Sequence, residues 1–159
     1  MNIYTNSPDE QSISGAVSRM QYLIDTIPAL LKQLPDTDFS QKPAPDKWSK
    51  KEILGHLIDS ATNNHQRFIR LQYQDKPGIY YDQNEWVSFS NYVSLEKERI
   101  IDFWAQYNNH LLHIMKHIPS ENLIKTGIVR VASEEKPLYF FINDYVAHME
   151  HHLRQIVSY

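Results

Sequence analysis

Apolar residues recur at three- and four-residue intervals along four long stretches of this sequence, and proline-containing segments separate the stretches. That spacing lines up side chains on one face of an α-helix, whereas a strand changes face at every residue. The first stretch opens at Ser7-Pro8-Asp9-Glu10, where Ser7 can cap, Pro8 suits the first helical position and Glu10 completes a capping box. Val17, Met20, Leu23, Ile24, Ile27, Leu30, Leu31 and Leu34 continue its stripe. Pro28 lacks an amide hydrogen and is expected to kink or split the helix, and Pro35, Pro43 and Pro45 then enforce a loop.

A second helix is expected over residues 49–73, with Ile53, Leu54, Leu57, Ala61, Phe68 and Leu71 on its buried face. A third starts at Ser94 as N-cap and carries Ile100, Phe103, Trp104, Tyr107, Leu111, Ile114 and Met115 to Pro119. Pro137 opens a fourth that reaches about residue 158. Residues 75–93 are polar and aromatic without a lasting period, which predicts a long ordered loop over a site. Residues 120–136 hold Gly127, Ile128, Val129 and Val131 and suit a short extended piece. Four glycines in 159 residues are too few for a turn-rich all-β fold or a glycine-rich phosphate loop. The expected fold class is therefore all-α: one domain over residues 1–159, an antiparallel four-helix bundle with a long loop between its second and third helices.

Charge and composition narrow the partners. Sixteen Lys and Arg against nineteen Asp and Glu give a net charge of −3, so nothing favours nucleic acid or an anionic membrane. The polar first ten residues lack a signal-peptide pattern, and a cytoplasmic protein is expected. With no cysteine, a transition-metal site has to use histidine and carboxylate.

Eight histidines raise the question of which converge. On the fourth helix His148 and His152 lie one turn apart on the inner flank of the apolar face, the i, i+4 arrangement in which two imidazoles share one ion, while His151 points away. An isolated pair of this kind reads equally as core or surface histidines. His56, on the second helix, sits at the flank of its apolar face, semi-inward, in a polar stripe with Ser60, Asn63 and Arg67. Asp59 falls outward. His110, His113 and His117 form a rival cluster on the third helix, but they lie off its apolar face and read as a solvated edge.

The stretch Trp48-Ser49, then Gly55-His56-Leu57-Ile58-Asp59-Ser60, then Asn63 and Arg67-Phe68, resembles the second helix of the DinB-like superfamily, in particular its YfiT-type branch. Lys76-Pro77-Gly78-Ile79-Tyr80-Tyr81-Asp82-Gln83 followed by Trp86 is similar to that branch's proline-to-tryptophan loop. Tyr145-Val146-Ala147-His148 with His151-His152-Leu153-Arg154-Gln155-Ile156 is similar to its last helix. The resemblance implies a four-helix bundle binding one divalent ion, commonly zinc or nickel, through His56, His148 and His152. It also implies a metal-dependent hydrolase or a transferase joining a low-molecular-weight thiol such as bacillithiol to an electrophile, often as a homodimer. Two departures leave the ligands intact: Gly55 stands where the branch often has a second histidine, and His65 where another aromatic is usual.

Three neutral imidazoles leave such an ion its full charge and at least one open position, which lowers the pKa of a bound water toward about 7 and ionises a bound thiol. Arg67 is expected to bind a substrate carboxylate in bidentate fashion, with Asn63 orienting it. Asp82, Gln83 and Trp86 would shape the mouth of the cleft, and Asp59 would accept a hydrogen bond from a ligating imidazole or bound water. Two classes of function stay open. One is an enzyme acting on small electrophilic or amide-like substrates. The other is a non-catalytic metal-binding or stress-response module, in which a fourth protein ligand such as Glu150 closes the site.

Overall fold

Four long helices carry the core, as the apolar spacing requires. The structure, a computed structural model, describes residues 12–129 and 134–159. The helix start expected at Ser7 to Glu10 lies outside the described residues, as do residues 130–133 of the segment expected to be extended. Helix α1, Ser14–Gln33, buries Ala16, Met20, Leu23, Ile24, Ile27 and Leu31. Pro28 does not split it: one N–H is missing from the ladder, but Ile24, Ile27 and Leu31 are buried on either side and hold the helix by packing. Within the proline-rich loop a single turn, α2 (Asp36–Ser40), buries Phe39.

Helix α3, Lys50–Arg70, begins at a capping box: Ser49 Oγ accepts from the Glu52 amide (3.2 Å), and Glu52 Oε2 accepts from the Ser49 amide (2.8 Å). Residues 71–73 of the expected helix lie in a turn instead.

The segment expected to be a loop holds a helix. Asp82 accepts from the amides of Asn84 and Glu85 and starts α4 (Gln83–Ser90), which ends at Asn91 in the left-handed region (φ 52°) before a 3₁₀ turn, Tyr92–Ser94. Only Val87 of α4 is buried, so no apolar period marks it. Ser94 is not an N-cap: its hydroxyl donates to the Asn91 carbonyl, and helix α5 runs Lys97–Lys116 after Glu96. Phe103, expected on the inner face of α5, is 51% exposed; the buried face is Ile100, Ile101, Trp104, Leu111, Leu112 and Met115.

The extended piece is half of a hairpin in which β1 (Thr126–Ile128) pairs antiparallel with β2 (Glu135–Pro137). Pro137 then caps helix α6, Leu138–Ile156. The long helices form a four-helix bundle in which α1 and α3 each pack against both α5 and α6, and α4 covers a further side of α3. Helix α3 is consequently buried almost all round, with an unbroken buried run from Leu54 to Ala61. Among the described residues no helix is long and apolar enough to cross a membrane.

Candidate metal centre

Helix α6 presents His148 and His152 from successive turns, and α3 brings His56 against them from across the bundle. The three offer ring nitrogens that all lie within 4.8 Å of one another. Ring centroids are 5.1 Å apart for His56 and His148, 4.8 Å for His56 and His152 and 4.6 Å for His148 and His152, with the planes crossed at 75–77°. The Nε2 atoms of His56 and His148 are 3.3 Å apart. Two ligands of one tetrahedral ion with metal–nitrogen bonds of about 2.05 Å stand about 3.3 Å apart as well. Nδ1 of His56 and Nδ1 of His152 are buried without a hydrogen-bond partner, a condition that native interiors rarely leave unexplained.

Burial disfavours the charged ring, and the neighbouring imidazoles add repulsion. The pKa of His56 is pushed down to about 3 and that of His148 to about 4, with His151, His152 and Arg67 contributing at His148. His152 is lowered too, again mainly by burial. All three rings are therefore neutral at neutral pH, with a lone pair free for a metal.

His56 has no exposed surface, where a semi-inward position was expected, and Asp59, expected outward, is 3% exposed. The cause is shared: α3 is wedged among α4, α5 and α6, so the flanks of its apolar stripe are interior as well. Asp59 meets Tyr92, not a histidine. The Tyr92 hydroxyl donates to Asp59 Oδ1 at 2.6 Å, while Oδ2 is buried without a partner. Burial raises the Asp59 carboxyl to about 6 against the opposing effect of that hydrogen bond. Gly55 makes the contact with Tyr92 possible, since a Cβ there would stand 2.2 Å from Tyr92 Cδ2.

Further along α3, Asn63 is buried and donates to the Asp59 carbonyl (2.9 Å), so its amide is engaged within its own helix. Arg67 donates to Asn64 Oδ1 (3.1 Å) and to the Ile79 carbonyl (2.8 Å), and its guanidinium lies 5.4 Å from the Phe141 ring centre. Among the described residues no carboxylate lies within ion-pair distance of it, although Asp144 is near enough to be felt. Tyr81, one of the tyrosines of the loop ahead of α4, stands beside Ser60, Asp59 and Arg67. Trp86 is half-exposed on α4 with its ring 5.3 Å from that of Tyr81. Asp82 serves α4 as its N-cap. Gln83 does line a cleft of about 450 Å³ with Ile53, Gln155 and Trp48, whose ring packs 5.1 Å from His56.

Glu150, the candidate fourth ligand, is turned to Arg19 (2.7 Å) and Arg154 (3.1 Å). The rival cluster is divided: His110 packs on His65, itself 3.1 Å from the Tyr107 hydroxyl, and His113 and His117 lie exposed beyond it.

Comparison with known proteins agrees with the fold. A family model described as the DinB superfamily matches residues 20–156. No curated protein matches the sequence. A solved structure of YfiT from Bacillus subtilis, described as a probable metal-dependent hydrolase with an unusual four-helix bundle topology, superposes with a TM-score of 0.83 at 15% identity, covering 98% of this chain and 89% of that one. Two structures of a mycothiol-dependent maleylpyruvate isomerase, one of them a mutant, superpose with a TM-score of 0.77 at 7% and 8% identity. They cover 98% and 97% of this chain but only 65% and 64% of theirs. At such identities the likeness establishes the fold.

Proposed function

The chain belongs to the DinB superfamily, and on that premise we propose that it is a divalent-metal-dependent enzyme acting on small molecules, a thiol S-transferase in the first place and a hydrolase in the second, with His56, His148 and His152 holding the ion. The observation that carries this reading is the convergence of three neutral imidazoles with no fourth histidine or carboxylate grouped with them among the described residues. The set suits zinc or nickel, both well served by imidazole. A bound ion would supply Lewis acidity, since three neutral ligands leave it its full charge and room for a substrate atom. A closed, purely structural site would need another ligand, and Glu150 is committed to two arginines.

The surrounding side chains suit a thiol that carries a carboxylate. Among the described residues Arg67, a partly buried cation, has no ion-pair partner, and its remaining N–H groups would bind that carboxylate. Asp59, one turn from His56, is ionised above pH 6, and its free Oδ2 would accept the proton the thiol gives up. Tyr92 holds the other oxygen and so fixes the carboxylate's orientation. Tyr81 and Trp86 would wall the acceptor side and exclude water. Sulfur then bonds to the electrophilic carbon as the leaving group departs with the electron pair of its own bond. The thiol dependence of the isomerase favours this order of preference, and the description of YfiT as a hydrolase keeps the second reading.

Equilibrium dialysis at nanomolar free zinc or nickel should give about one ion per chain, lost in His56→Ala, His148→Ala and His152→Ala and kept in His113→Ala. The loaded protein should then speed conjugation of cysteine to a fluorogenic haloalkyl probe. Ester or amide cleavage with no dependence on thiol would select the hydrolase. A tightly held ion with neither activity would return the chain to the non-catalytic class.

A further inference from the structure

Helix α5 ends in a pair of histidines that the three-histidine centre does not use. His113 and His117 are four residues apart across the last turn, both exposed, and their ring centroids are 4.3 Å apart, closer than any two rings at the centre. The backbone explains how His117 is held. Its amide bonds to the Ile114 carbonyl (2.9 Å), the tightened pattern common at helix ends, and this releases the His113 carbonyl from the ladder. His117 Nδ1 lies 2.7 Å from that freed oxygen. A carbonyl can only accept, so Nδ1 carries the hydrogen, and in the neutral ring the lone pair is on Nε2. A backbone carbonyl behind one ring nitrogen is also what orients imidazoles in metal sites.

The surroundings favour a cation. The pair sits over the C-terminus of a twenty-residue helix, where the carbonyl ends give a partial negative charge. Lys116, the lysine of this last turn, has its Nζ on Gln21 Oε1 (3.0 Å), towards α1. His110, the third member of the row, faces His65 with ring centroids 5.2 Å apart and is not part of the pair.

We propose that His113 and His117 form a second, independent metal site, a two-imidazole chelate for late first-row divalent ions, with the other coordination positions left to water. Two ligands in place of three make it the weaker site, and the general affinity order puts copper(II) above nickel(II) and zinc(II).

Metal titration of the full chain followed by calorimetry separates this site from the centre. The wild type should take up two copper(II) or nickel(II) ions per chain in a tight and a weak step. His113→Ala, an exposed position whose carbonyl still meets the His117 ring, should keep the tight step and weaken the other tenfold or more. His152→Ala should keep the weak step and lose the tight one. Uptake that stops at one ion in the wild type overturns the proposal, and so does a second step that His113→Ala leaves unchanged. Either result is independent of whether the three-histidine centre catalyses anything.

Discussion

Metal-free protein should lose stability as the pH falls from 6.5 to 5, and buried histidines should be the cause. Between the folded values of about 3 for His56 and about 4 for His148 and an unfolded value of about 6.5, the unfolded chain binds the protons that the folded chain refuses. Stability then falls with falling pH, by at most about 1.4 kcal/mol per unit for each ring. Asp59 works the other way: its folded value near 6 lies above the ordinary carboxylate value, so below pH 6 the folded state takes up the proton first and gains stability. Two rings therefore act alone from 6.5 to 6, and below 6 one of the two contributions is offset. The ceiling is about 3 kcal/mol over the whole interval, and with His148 only part-buried, roughly 2 kcal/mol is expected after solvent screening. His152 acts in the same direction.

Urea unfolding at pH 7 and pH 5, after removal of metal with a chelator, measures this difference. His148→Gln should flatten it and Asp59→Asn should steepen it, because the first removes a refusing ring and the second the compensating carboxyl. Saturation with zinc should hold the folded state to lower pH, since a ligated nitrogen cannot be protonated. Equal stability at the two pH values, or an unchanged loss in His148→Gln, would refute the assignment of these rings as buried and neutral.

Two substitutions test the surroundings of the centre. Gly55→Ala should destabilise the fold by about 2–4 kcal/mol despite a gain of about 1 kcal/mol in helix propensity, because the new methyl displaces Tyr92 and breaks its bond to Asp59. Thermal unfolding reads the loss, and in a Tyr92→Ala background the same change should be neutral or stabilising; a stabilised single variant would contradict the contact. Arg67→Met should leave metal content unchanged and raise KM for a carboxylate-bearing thiol about tenfold or more with kcat less affected. Release of the ion or unfolding would show instead that the bond from Arg67 to the Ile79 carbonyl is a structural tie.

The four long helices were legible because each keeps an apolar period over five turns or so, and the pair on α6 was legible because that helix has a solvent side against which an inner flank can be measured. Helix α4 left no such trace: one buried valine in eight residues has no period, and its clearest signal, Asp82 ahead of Gln83-Asn84-Glu85, was read as part of a cleft and not as a cap. Pro28 misled in the opposite sense, since its local cost is outweighed by burial on both sides.

The misplacement of His56 and Asp59 has a different origin. A helix packed on one side only has one buried face, and its polar residues mark the side away from that face. For α3, enclosed on nearly every side, that rule fails where polar side chains are interior by design. A physical signal of this was present in the sequence, since Thr62, Asn63 and Asn64 are residues that can bond a carbonyl four positions back. Each does so, satisfying a donor without needing water. A helix able to bury such residues cheaply leaves the polar groups that have no such local partner as the ones to explain. On α3 these are Nδ1 of His56 and Oδ2 of Asp59. Both stand without a bond in the interior, three residues apart on one face, where a water or a bound substrate would satisfy them, while an ion would be met by the other nitrogen of His56, Nε2, which faces His148.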